Sequence, residues 1–168
     1  MNKSATAKVV LASVLLAGAV VCFIKLSPAR PGQAENAYFY DLAEQKLFLA
    51  PRGSIPPIQG MKGAAEAGVR AVVISTTGDP SDTKHRQIAY LQRYSPEIKQ
   101  LFEEVRQARV EGRSAEGHID RNEVPPNTWV RRLQDTNWYA LNSAEGDKIT
   151  SEWNTPGPDG RTPAVCTP

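Results

Sequence analysis

"VRAVVISTT", Val69 to Thr77, decides the fold. Its β-branched residues stand in a nearly continuous series, the pattern of a strand buried on both faces or central in its sheet. The reading makes it the spine of the core. Upstream, "AYFYDL" (Ala37 to Leu42) and "KLFLAP" (Lys46 to Pro51) are apolar and aromatic runs separated by "AEQ", a hairpin length without the Asn-Gly that marks the tightest turns. Between hairpin and spine, Pro56-Pro57 and the glycines at 60, 63 and 68 make a loop.

Downstream, the polar loop Gly78 to His85 leads to "RQIAYLQRY" (Arg86 to Tyr94), whose alternation sets Ile88, Tyr90 and Tyr94 on one face and Ala89 and Leu91 on the other. A second hairpin follows from this. "SPEIKQLFEEVRQARVEG" then carries a complete set of helix signals: Ser95 as N-cap, Pro96 at the first position, Glu97 in the first turn and Gly112 beyond the end. Ile98, Leu101, Phe102 and Val105 form one apolar stripe, so this helix is expected to pack on the sheet.

After a polar loop over 113–127, "TWVRRL" and "NWYALN" read as two short strands around "QDT". "SAEGDKITSEW" reads as a short helix with Ile149 and Trp153 one turn apart, and "NTPGPDGRTPAVCTP" as an irregular tail rich in proline and glycine. The expected fold class is α+β, mainly antiparallel, with one long helix across one face.

The amino-terminal end is of another kind. Val9 to Ile24 holds no charge, no proline and one glycine, Gly18, and Lys8 and Lys25 flank it. As a helix rising 1.5 Å per residue it spans about 24 Å, and snorkelling lysines extend that toward a hydrocarbon core of about 30 Å. Cleavage signals are poor, because Ser27-Pro28-Ala29 is followed by Arg30-Pro31 and the Gly32/Ala34 pair lies far beyond the apolar run. Val21 stands where a lipidated Cys22 needs a small residue. The expectation is a retained transmembrane anchor over 9–26, or an uncleaved signal, with a cleaved signal peptide as the alternative. The domains are then a cytoplasmic tail 1–8, the anchor 9–26, a linker 27–36, an exported domain 37–153 and the tail 154–168. Lys3 and Lys8 favour the amino terminus inside, so the carboxy-terminal domain is expected on the periplasmic or other extracytoplasmic side.

The chain carries 20 Lys+Arg against 18 Asp+Glu. Taking out Lys3, Lys8 and Lys25 leaves 17 basic and 18 acidic residues from Leu26 onward, a net charge of −1. No basic field remains for nucleic acid. Cys22 and Cys166 stand at opposite ends of the anchor-plus-domain layout and make no disulfide framework.

Chemistry-bearing motifs are sparse. The glycines at 60, 63 and 68 lack a following Lys-Ser pair, and "DRNE" around Asp120 lacks a calcium-loop progression. His85, beside Asp79 and Asp82, and His118, beside Asp120 and Glu123, are the only histidines, so His85, His118 and Asp120 are the weak candidates for a metal or an enzyme site. No cofactor is expected. Trp129, Trp138 and Trp153 are the candidate interaction anchors, since large aromatics supply much interface energy. Adjacent strand residues point to opposite faces, so Arg131 and Arg132 cannot serve one patch.

The layout of tail, span, linker and compact domain, together with "FYDL…LF…PPI", "IAYLQRYSPE" and "LNSAEG", resembles small single-span bacterial envelope proteins. The resemblance implies an envelope location and other envelope proteins as partners. It transfers no activity and no functional residue. The function expected is a membrane-anchored exported domain acting by protein contact, a structural or accessory component of an envelope assembly. The alternative is an exported enzyme or metal-binding module using the His85 and His118 loops.

Overall fold

The computed structural model describes residues 35–115 and 119–168. The expected anchor over 9–26, Cys22, the tail before them, nearly all of the 27–36 linker and His118 lie outside the described residues. Among the described residues no helix is long and apolar enough to cross a membrane.

The fold is α+β and antiparallel throughout. Strands β1 (Asn36–Asp41), β2 (Lys46–Pro51), β3 (Gly68–Ser75) and β4 (Arg86–Tyr94) precede helix α1 (Pro96–Glu111). Strands β5 (Thr128–Arg131) and β6 (Tyr139–Ala140), helix α2 (Ala144–Ser151), a 3-10 turn (Glu152–Asn154) and β7 (Ala164–Val165) complete it. The sheet runs β2-β1-β3-β4-β5-β6, and β7 joins the edge of β3 that β1 also uses. Val69 to Ser75 is therefore central, as its apolar run implies.

Register assigns side chains to faces. Phe39, Arg70, Gln92, Val130 and Tyr139 lie opposite one another in successive pairs and share one face. Both helices cover that face. The Tyr94 ring meets Phe102 of α1 edge-on, with centroids 5.0 Å apart. Arg132 reaches Glu145 of α2 and Glu152 after it. Tyr40 with Val69, and Ala71 with Leu91 and Arg131, belong to the opposite face, called the open face below.

Two small cores result. Ala37, Phe39 and Ala50 pack with Phe48 and Ile58 on the helix-covered face. Val69, Ala71, Val73, Leu91 and Cys166 pack beneath Tyr38, Tyr40, Leu42, Ile88 and Trp138 on the open face. Fully buried side chains such as Phe39, Leu91, Val130 and Ile149 contribute about 1.5–3 kcal/mol each. Small β3 residues under large aromatics explain why the open face has a core without a helix.

The helix signals hold as read. Ser95 accepts a hydrogen bond from Ile98 N, and Gly112 closes α1 at φ 70°, a left-handed conformation that glycine adopts without strain. Ser143 caps α2, accepting from Gly146 N at 3.1 Å. Gly146 is buried where a Cβ would stand 2.0 Å from the Ala140 carbonyl oxygen, so only glycine lets α2 lie this close to β6.

Two expectations are corrected. The tail is not wholly irregular: Ala164 and Val165 pair with Ser75 and Ile74, and Cys166 N donates to Val73 O at 2.8 Å. The unfilled edge of β3 beyond β1 accepts this short segment. In β4 a register shift opposite Val72/Val73 leaves Ala89 without a partner and turns Ile88 toward Leu91, where strict alternation separates them.

Candidate functional site

The open face carries an unusual row. Arg93 lies two residues from Leu91 on β4, and Trp129 and Arg131 lie opposite Arg93 and Leu91 on β5, so all four side chains share that face. Trp138, two residues before Ala140 on β6, joins them. The Arg93 guanidinium sits 4.8 Å from the Trp129 ring centroid and 4.5 Å from that of Trp138. Arg131 sits 5.0 Å from Trp138. The order is Trp129, Arg93, Trp138, Arg131, indole and guanidinium alternating.

Electrostatically this row is unfinished. Among the described residues neither Arg93 nor Arg131 forms an ion pair with a carboxylate, and the Nε of each is buried with no acceptor. Arg131 donates instead to the Asp135 carbonyl. Burial lowers the pKa of Arg93 and the adjacent Arg131 charge lowers it further, while the Glu66 carboxylate acts in the opposite sense. Arg86 repeats the pattern on the same face. Its guanidinium donates to the Tyr38 hydroxyl at 2.7 Å and to the Pro80 carbonyl at 3.1 Å, and its Nε is buried without an acceptor. Three cations with spare donors thus share a face, and none of them forms an ion pair among the described residues.

The other end of this face is apolar. Leu47 and Leu49 of β2 stand opposite Tyr40 and Tyr38 and are 41% and 52% exposed, which is high for leucines on a sheet. The open face therefore grades from leucine and tyrosine to stacked arginine and tryptophan. Arginine and aromatic residues are the types enriched in interface centres.

Contrast Arg132, whose side chain points the other way. It binds Glu145 at 2.8 Å, Glu152 at 2.8 Å through Nη2, and Asp135 at 3.2 Å. Its pKa is raised, first by Glu152 and then by Glu145. This arginine is saturated and ties α2 to the end of β5.

Of the three tryptophans expected as anchors, Trp129 and Trp138 come together on the open face. Trp153 belongs to the 3-10 turn after α2 on the helix-covered side, with Nε1 buried and unpaired. Arg93 and Arg86 were missed by pattern reading. The signal for Arg93 was present in "YLQRY", where an arginine follows Leu91 at the same-face spacing.

The histidine candidates fare differently. His85 is exposed, and its Nδ1 meets Asp82 Oδ2 at 2.7 Å. Thr77 Oγ1 donates to that same oxygen at 3.0 Å, and Ser75 Oγ lies 2.9 Å from Thr77 Oγ1. The bonds converge on Asp82, whose pKa they lower, chiefly through His85. Among the described residues no nucleophile bonds the other ring nitrogen, so this chain of groups staples the β3–β4 loop. Asp120 is exposed and accepts from Asn122 N at 2.9 Å. Among the described residues no three metal-ligating side chains come together.

Comparison with known proteins finds no matching family model, no matching curated protein and no matching solved structure.

Proposed function

We propose that this chain is a membrane-anchored exported domain that acts by protein contact in an envelope assembly, with the open sheet face as its docking surface. The observation that carries the reading is the Trp129–Arg93–Trp138–Arg131 row, whose guanidinium groups form no ion pair with a carboxylate among the described residues. A partner that offers carboxylates to Arg93, Arg131 and Arg86, and apolar side chains to Leu47 and Leu49, completes what the isolated domain leaves open. The apolar segment over Val9 to Ile24 supports the anchored location.

The test is co-isolation from carbonate-washed native membranes with the full chain as bait. A discrete membrane partner retained by the wild-type protein and by Trp153→Ala, and lost with Trp129→Ala and Trp138→Ala, is the expected result. Recovery of the chain in the soluble fraction, or a partner indifferent to all three substitutions, overturns the reading.

A further inference from the structure

The sheet has a gap at its centre. β1 pairs with β2 along its whole length but with β3 only from Phe39 to Asp41. On the same edge, β7 meets β3 only at Ile74 and Ser75, with one further hydrogen bond from Cys166 N to Val73 O. Between those two contacts Asn36 to Tyr38 diverge from Ala71 to Val73, and a cavity of about 270 Å³ fills the gap. Its size lies just below the roughly 300–1,000 Å³ of sites for drug-sized ligands, which suits a fragment.

The lining combines apolar walls, among them Val72, Val73 and Val165, with the polar groups of Arg52, Arg70 and Gln92, and Thr167 and Pro168 border it. Arg70 is half-buried and held in place: its guanidinium lies 5.1 Å from the Phe39 ring centroid, and Nη2 donates to the Arg52 carbonyl at 3.0 Å. A guanidinium has five N–H donors, and this is the one hydrogen bond that Arg70's makes with the described residues. Arg52 has no ion pair among the described residues. The two cations are close enough that Arg52 lowers the pKa of Arg70, beneath the larger effect of burial. Two like charges at one cavity, neither in an ion pair among the described residues, are an arrangement that a bound anion relieves.

We propose that this gap is a binding site for a carboxylate, gripped by Arg52 and Arg70 with its apolar substituent against the valine walls. The planar, forked guanidinium matches a carboxylate in two-point contact, and the space behind it takes an apolar substituent of fragment size. The site rests on groups separate from the stacked row of the open face. A free small acid and the carboxy terminus of a peptide share this chemistry.

The experiment is calorimetric titration of the full-length chain in detergent micelles with four probes: benzoylglycine, the tripeptide Ala-Val-Ala with a free carboxylate, its carboxy-terminal amide, and inorganic phosphate. Saturable binding of at least one acid, with none of the amide, is expected. Benzoylglycine alone assigns a small-molecule acid, and the tripeptide acid assigns a chain terminus. Arg52→Gln, at an exposed position where folding is not at stake, weakens the binding about tenfold or more, Arg70→Gln does so too, and Arg109→Gln on α1 leaves it unchanged. Absence of saturable binding of either acid up to about 10 mM overturns the proposal. So does binding that survives both Arg52→Gln and Arg70→Gln, or inorganic phosphate that binds as tightly as the acids.

Discussion

Replacing Arg93 by methionine separates a docking role from a structural one. Arg93 gains two guanidinium–indole stacks, each worth about 0.5 kcal/mol when exposed and about 2 when desolvated. Against that stand a buried Nε–H without an acceptor, a cost of about 1–3 kcal/mol, and the like charge of Arg131 beside it. The two sides nearly cancel. Methionine keeps the unbranched stem between the rings, adds a sulfur–aromatic contact of about 0.3–1.5 kcal/mol and removes both penalties. Arg93→Met should therefore leave unfolding free energy within about 1 kcal/mol of wild type while abolishing partner retention. Urea unfolding of the full chain in micelles, followed by tryptophan fluorescence, reads the first quantity from the midpoint at constant slope. A loss of more than about 2.5 kcal/mol would refute the reasoning, because the stacked arginine would then be a structural strut whose stacking outweighs its desolvation.

The remaining predictions concern the frame that holds the face. Leu91→Ala should cost about 3–5 kcal/mol, the upper part of the usual range, since Leu91 is fully buried and its neighbour Ala71 cannot expand into the space; urea unfolding measures it. Gly146→Ala should cost at least about 1–3 kcal/mol, because the new Cβ meets the Ala140 carbonyl; a neutral result would deny the close approach of α2 to β6. Asp41 is buried and accepts from Ala43 N and Glu44 N through Oδ1 and from Met61 N through Oδ2. The bond from Glu44 leads in holding its carboxyl below the ordinary carboxylate value. A pKa lowered by folding gives stability that is complete above the unfolded value of about 3.9 and is lost as pH falls through the folded one. Unfolding midpoints should fall over that acidic window, and Asp41→Asn should flatten the slope there.

What could be read in advance was what local rules govern. The β-branched run at Val69, the Ser95-Pro96 start and the Gly112 stop each act within a few residues, and β3 and α1 form where those signals stand. The β1–β2 hairpin also forms without Asn-Gly, because Gln45 takes the left-handed turn position at φ 53°. Strand β7 has only two residues and exists because β3 presents an open edge, which no pattern inside "TPAVCTP" encodes. The β4 irregularity escapes notice because alternation cannot reveal which strand gains a residue. The arginine row needs the pairing of Arg93 with Trp129, a fact of register between strands 35 residues or so apart. Likewise the carboxylate cavity follows from where β1 leaves β3 and involves no motif at all.

The central claim, that the open sheet face docks an envelope protein, is tested most directly by photocrosslinking in the native cell. A photoreactive residue at Leu47 or Leu49 of the full chain samples the open face, and one at Gln107 of α1 samples the opposite side. The account predicts one discrete membrane-associated adduct from both open-face positions and none from Gln107. Adducts from Gln107 with silence at Leu47 and Leu49 would contradict it.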